Sequence, residues 1–228
     1  MLRWLAPLLP GPQRWIGHDR DQELLEALST SPPVLDSQGM PVSVDTHACD
    51  LAQLHPDEFI GASLITASAL LDILTAVELE HLAMTCLTIG RPALLTLSVT
   101  GHVELRPPDR QDDRIRHAFN AHQRRITRDG RRLLGPDAVP AALTLFANRG
   151  ATVLSAPSAW QLRAGDRALI NEWLTGWVGA ACGHDPALAS SASHYLRRRT
   201  RAVAEGRLDV RVHHRDLLIL PRASGDGP

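Results

Sequence analysis

From Arg14 to Val99 the chain alternates short apolar stretches with helical ones, and this rhythm limits the fold more than any other feature. Two parallel strands cannot be joined by a hairpin; the chain must cross the sheet, normally as a helix. A strand–helix–strand order therefore predicts a parallel sheet with helices on its faces. Arg14–His18 reads as a strand, followed by Asp19 and a helix over Asp21–Ser29. A Ser/Pro loop and a turn at Ser37-Gln38-Gly39 lead to a second strand, Pro41–Ala48. Phe59–Ala67 is nearly continuous in apolar residues, the pattern of a strand covered on both faces. Ser68–Leu74 reads as a turn or short helix, and Thr75-Ala76-Val77-Glu78 as a capping box opening a helix to about Ile89. Gly90 and Pro92 stop that helix, and Ala93–Val99 is a fourth strand.

The rhythm changes at Gly101. A charged helix is expected over Asp112–Arg128, with Ile115, Phe119, His122 and Ile126 on one stripe, and another from Pro136 to Arg149. A strand over Ala151–Leu162, helices over Asp166–Cys182 and Pro186–Glu205, and a last strand over Leu208–Leu220 complete the chain. Ahead of the first strand, Met1–Leu9 reads as the tail of an amphipathic helix ended by Pro10-Gly11-Pro12. The expected organisation is one domain over 1–222, with helical cover segments at about 102–150 and 164–206 and a loose tail at 223–228.

Several chemistries are excluded by residue type. All 24 basic residues are Arg, so there is no Schiff-base lysine, no pyridoxal phosphate linkage and no P-loop lysine. No GxSxG elbow, HExxH or CxxC occurs. His213 and His214 are adjacent on a strand and point to opposite faces, so they cannot share an ion, and no metal site is expected. Three scattered cysteines read as reduced thiols. No apolar run approaches the roughly 18 residues of a membrane span, and the expected location is the cytoplasm. The net charge of −1 hides an asymmetry: residues 1–100 hold 4 Arg and 12 acids, residues 101–228 hold 20 Arg and 13 acids. A basic second half suits an anionic partner, or simply neutralises the acidic half.

In an open parallel sheet, ligands bind outside the carboxyl ends of the strands. Asp19-Arg20 follows one strand, Cys49-Asp50-Leu51 the next, and Thr66-Ala67-Ser68 the third. An acid at one strand end can grip ribose hydroxyls, an acid at the next can accept from an adenine amine, and small residues at a third admit a flat cofactor. The competing reading is that Asp19 and Asp50 only cap helices.

This ordered set resembles class I S-adenosylmethionine-dependent methyltransferases. Trp15-Ile16-Gly17-His18-Asp19 is similar to that family's second-strand motif, Cys49-Asp50-Leu51 to the next, and "LITASALLDIL" within Phe59–Leu74 to the fourth-strand motif. "ALLTLSVTG" resembles the fifth strand, and "LDVRVHHRDLLILP" the family's last, antiparallel strand. The resemblance implies a doubly wound, mostly parallel α/β sheet with an antiparallel last strand and helical insertions. It implies S-adenosyl-L-methionine as cofactor, bound by Asp19, Arg20, Asp50, Leu51, Thr66, Ala67 and Ser68. Asn120, His122 and Trp177 are candidates for a substrate wall; Trp173 and Trp177, four apart, share a face either of that wall or of the core.

The leading function is methyl transfer to a small molecule. The alternatives are an RNA methyltransferase, suggested by Arg124-Arg125, Arg128, Arg131-Arg132 and Arg197-Arg198-Arg199, and a non-catalytic domain that has lost its cofactor. The catalytic residues and the oligomeric state are left open. The family's first strand and its DxGxGxG-like loop have no counterpart in the sequence, so the chain is expected to be an incomplete form lacking a central strand, with weak or no cofactor binding.

Overall fold

Local capping chemistry sets most of the element boundaries. In the computed structural model, which describes residues 1–50 and 55–222, the chain forms two units, Met1–Ala62 and Ser63–Pro228.

The first unit opens with a single helical turn, α1 (Leu2–Leu5), continued by a 3-10 turn over Ala6–Leu8. Strand β1 (Arg14–Asp19) is followed by α2 (Gln22–Ser29), whose N-cap is Asp21; its carboxylate accepts from the backbone N–H groups of Glu23 and Leu24. Strand β2 (Ser43–Ala48) pairs with β1 in parallel, with Arg14 opposite Ser43 and Asp19 opposite Ala48. The strand expected over Phe59–Ala67 is corrected. Pro56–Phe59 is a 3-10 turn held by a capping box between His55 and Glu58, and Gly61 follows at φ +86°. Only Ile65–Ser68 remains extended, as β3, the first element of the second unit.

In that unit Thr75 and Glu78 form the expected capping box at the start of α3 (Ala76–Ile89), and Gly90 closes the helix in the left-handed conformation at φ +65°. Strand β4 runs from Ala93 to Arg106, well past the end expected at Val99. Gly101 does not end it; at φ +73° it sits in a bulge. Helix α4 (Asp112–Gln123) stops five residues short of the expected Arg128, since Thr127–Arg131 closes a turn through Gly130 at φ +84°. Helix α5 covers Ala138–Asn148. The strand expected over Ala151–Leu162 is two, β5 (Thr152–Pro157) and β6 (Trp160–Leu162). Helices α6 (Arg167–His184) and α7 (Ala189–Ala204) precede β7 (Asp209–Leu220).

The sheet order is β3-β4-β7-β5, with β6 also on β7. β3 is parallel to β4, and β7 is antiparallel to β4, β5 and β6. All strands of this sheet but the last therefore run one way, the mixed α/β arrangement with an antiparallel final strand. Side chains alternate across β4 and β7: Leu105, Val210 and Val212 face a core with Ile115, Ile170, Leu174, Trp177 and Tyr195. No helix among the described residues is long and apolar enough to cross a membrane.

Candidate functional site

Within the first unit, the parallel pairing of β1 and β2 brings two of the expected acids to one edge. Asp19 ends β1 opposite Ala48, the Cys49 N–H donates to the Asp19 carbonyl at 2.9 Å, and Asp50 follows. Asp19 is not the helix cap, since that role falls to Asp21; instead its Oδ1 accepts from the Asp21 N–H at 2.9 Å. Arg20 lies in the bend between β1 and α2, and Leu51 falls outside the described residues. The Cys49 thiol lies beside these acids. It is pushed above its ordinary value first by burial and then by Glu58, Asp50 and Asp19. Its Sγ is 3.5 Å from His18 Nδ1, and the His18 ring packs 5.6 Å from that of Phe59. Burial, with His47 nearby, lowers the pKa of His18, against the opposing pull of Glu58. Carboxylates at such an edge accept hydrogen bonds from hydroxyl or amine donors.

Within the second unit, Thr66, Ala67 and Ser68 form the carboxyl half of β3. The next residue, Ala69, turns away in the left-handed region at φ +52°, and its N–H donates to the Thr96 carbonyl at 3.0 Å. A left-handed alanine costs about 1–2 kcal/mol, and strain of this kind gathers at functional sites. Past it lies a cleft of about 220 Å³ lined by Asp72, Ile73, Phe119, His122, Gln123, Arg125, Leu133 and Ala180. Burial raises the Asp72 carboxyl above the ordinary carboxylate range, against the pull of its own backbone N–H. Burial, aided by Arg125 and His184, holds the His122 imidazole below its ordinary value. Gln123 Oε1 is buried without a hydrogen-bond partner among the described residues. A carboxyl and an imidazole that line one cleft form a candidate acid–base pair.

The substrate candidates separate. His122 lines the cleft, while Asn120, two residues away and so on the far side of α4, donates from Nδ2 to the Gly101 carbonyl at 2.8 Å. Trp177 is 2% exposed and stacks on Trp173 in the core, with ring centroids 4.9 Å apart. Asp72 was not singled out from sequence, where Ser68–Leu74 reads as a turn or short helix; its signal is a lone acid in an apolar run just past a strand end. Several guanidiniums proposed for nucleic acid are engaged with acids: Arg124 with Asp137, Arg131 with Glu78, Arg198 with Asp109 and Arg199 with Asp112.

No family model and no curated protein matches the sequence. Solved structures do. The chain is similar to the YcgJ protein from Bacillus subtilis, at 13% identity, covering 96% of this chain and 86% of that one with a TM-score of 0.44. It is also similar to the cyclopropane synthase MmaA2 from Mycobacterium tuberculosis, at 13% identity over 94% of this chain and 81% of that one with a TM-score of 0.40. A third is an S-adenosylmethionine-dependent methyltransferase from Geobacter sulfurreducens in complex with S-adenosylhomocysteine, at 14% identity over 95% and 88% with a TM-score of 0.38.

Proposed function

We propose that the chain is an S-adenosylmethionine-dependent methyltransferase acting on a small molecule. The observation that carries the reading is the pair of acids, Asp19 and Asp50, at the carboxyl edge of the adjacent parallel strands β1 and β2. Two carboxylates there, beside the Phe59 and His18 rings, fit an adenosine: one accepts from the ribose diol, the other from the adenine amine. The bound cofactor supplies an activated methyl on a sulfonium, so the protein's task is to position the nucleophile and exclude water.

In the cleft of the second unit, His122 is held neutral and suited to accept the proton of an incoming hydroxyl or amine. Asp72, on the wall of the same cleft, is placed to hydrogen-bond the same group. Gln123 Oε1 offers a buried acceptor to a substrate donor. A small, half-apolar cleft of this kind suits a small molecule better than a polymer.

Titration of S-adenosylhomocysteine into the chain by calorimetry tests the reading. Weak but saturable binding is expected of a sequence without the family's glycine-rich loop. It should weaken by about a further 1–3 kcal/mol in Asp19→Ala and in Asp50→Ala, the cost of stranding a hydrogen-bonding partner. No binding by the wild-type chain, or affinity unchanged from the wild type in both variants, refutes it.

A further inference from the structure

The bulge in β4 gathers three side chains that lie far apart in sequence. Val99 pairs with His214 and Val103 with Val212, so Thr100, Gly101 and His102 all stand opposite His213. Val103, Leu105, Val210 and Val212 turn toward the core, which leaves His102, Glu104 and His213 together on the outer face. Glu104 Oε1 is 2.8 Å from His213 Nε2 and 3.4 Å from His102 Nε2, and the two imidazole centroids are 4.5 Å apart. His214 points the other way, against the Trp160 ring at 5.2 Å, and takes no part.

We propose that His102, Glu104 and His213 form a binding site for one divalent transition-metal ion of the zinc class. Metal–ligand bonds of about 2.0–2.2 Å in a tetrahedral shell place neighbouring donor atoms roughly 3.3–3.5 Å apart. The His102–Glu104 separation already has that value, and the His213–Glu104 pair needs to open by only about half an ångström. Two imidazoles and one carboxylate are donors that zinc accepts, whereas calcium and magnesium call for oxygen alone.

The backbone beneath the site is fixed by pairing on both sides of the bulge. Thr100 Oγ1 donates to the His213 carbonyl at 3.1 Å, and Asn120 Nδ2 holds the Gly101 carbonyl at 2.8 Å. Ligands on paired strands lose little further freedom when an ion arrives. Opposing charges set a limit: Arg106 lies 3.6 Å from Glu104 Oε2, and Arg211 pairs across the ladder from Glu104. Their repulsion of a cation puts the expected affinity below that of closed zinc-finger sites.

The test is calorimetric titration of Zn2+ into the 228-residue chain, with Co2+ followed by visible absorption. One equivalent is expected to disappear, or to weaken at least about tenfold, in His102→Ala, His213→Ala and Glu104→Gln. The exposed His194→Ala should match the wild type. That equivalent should also survive Cys49→Ser and lack a thiolate-to-cobalt band, which separates it from the second group of ligating side chains, His18, Cys49 and Glu58. His102 is exposed, so His102→Ala is decisive even if His213→Ala disturbs the sheet. The proposal falls if the wild type takes up no ion, or if His102→Ala retains every equivalent at unchanged affinity.

Discussion

Replacing Asp112 with alanine is expected to destabilise the second unit by about 3–5 kcal/mol, the cost of leaving a buried charge uncompensated. The Arg199 side chain is only 4% exposed and that of Asp112 18%. Arg199 Nη2 donates to both Asp112 oxygens, Nη1 donates to the Pro107 carbonyl at 2.7 Å, and the fully buried Tyr195 hydroxyl donates to Asp112 Oδ1 at 2.7 Å. Asp112 thus holds the first turn of α4 against α7, and α4 carries His122 and Gln123 into the cleft. At roughly 2–4 °C per kcal/mol for a chain of this size, the loss corresponds to a fall in Tm of about 6–20 °C. Urea unfolding followed by tryptophan fluorescence is a direct assay, since Trp177 lies 6.4 Å from Tyr195 between ring centroids. Arg201→Ala, which breaks an exposed pair with Glu205, is the control and should move nothing. Removing both charges in Asp112→Leu/Arg199→Met should recover part of the loss, because the stranded guanidinium is gone. A midpoint shift for Asp112→Ala no larger than that of Arg201→Ala would refute the reasoning.

Two further outcomes follow from the same contacts. Gly101→Ala must place a Cβ 2.8 Å from both Asn120 Nδ2 and Pro136 Cβ at φ +73°, so a loss above the roughly 1–2 kcal/mol of left-handed strain alone is expected in urea unfolding. The lowered pKa values of His122 and His214, both caused first by burial, mean that the unfolded chain binds more protons than the folded one below the ordinary histidine value of 6.5. That stability is complete above 6.5 and is lost as pH falls through the folded pKa values. Glu78, held down first by its hydrogen bond from Arg131, adds a second loss below 4.5. Midpoints measured down a pH series should therefore fall in two stages, and a flat profile between 6.5 and 4.5 would contradict the histidine assignment.

The parts of the fold that could be read from sequence are those fixed by local chemistry. Thr75 with Glu78 and Gly90 bound α3 because capping oxygens and a left-handed residue act within one helical turn. The alternation in β7 shows because one face of that strand is buried, Val210 and Val212 against Asp209 and Arg211. Apolar content misleads at Phe59–Ile65, where a proline start and Gly61 at φ +86° make a turn of residues that would equally suit a strand. The acids past β1 and β2 were legible from strand order. Asp72 was not, because its raised pKa arises from burial that only the tertiary packing creates.

Gly101 joins the two largest departures from the sequence reading. A glycine after an apolar run ordinarily reads as a strand terminator, and a bulge glycine leaves the same local signal. The structure distinguishes them through long-range pairing: β4 resumes at Val103 against Val212, and Leu105 returns to the core against Val210. That resumption is what brings His102 and Glu104 alongside His213, 109 residues beyond Glu104 in the chain. Taken along the sequence, His213 has only His214 beside it, and neighbours on a strand cannot chelate. Taken across the ladder, it has a carboxylate and a second imidazole within ligand reach. The conformational freedom that disguises the strand is thus the freedom that lets its neighbouring side chains converge, so a residue with any Cβ at position 101 is expected to disturb the strand and the ion site together.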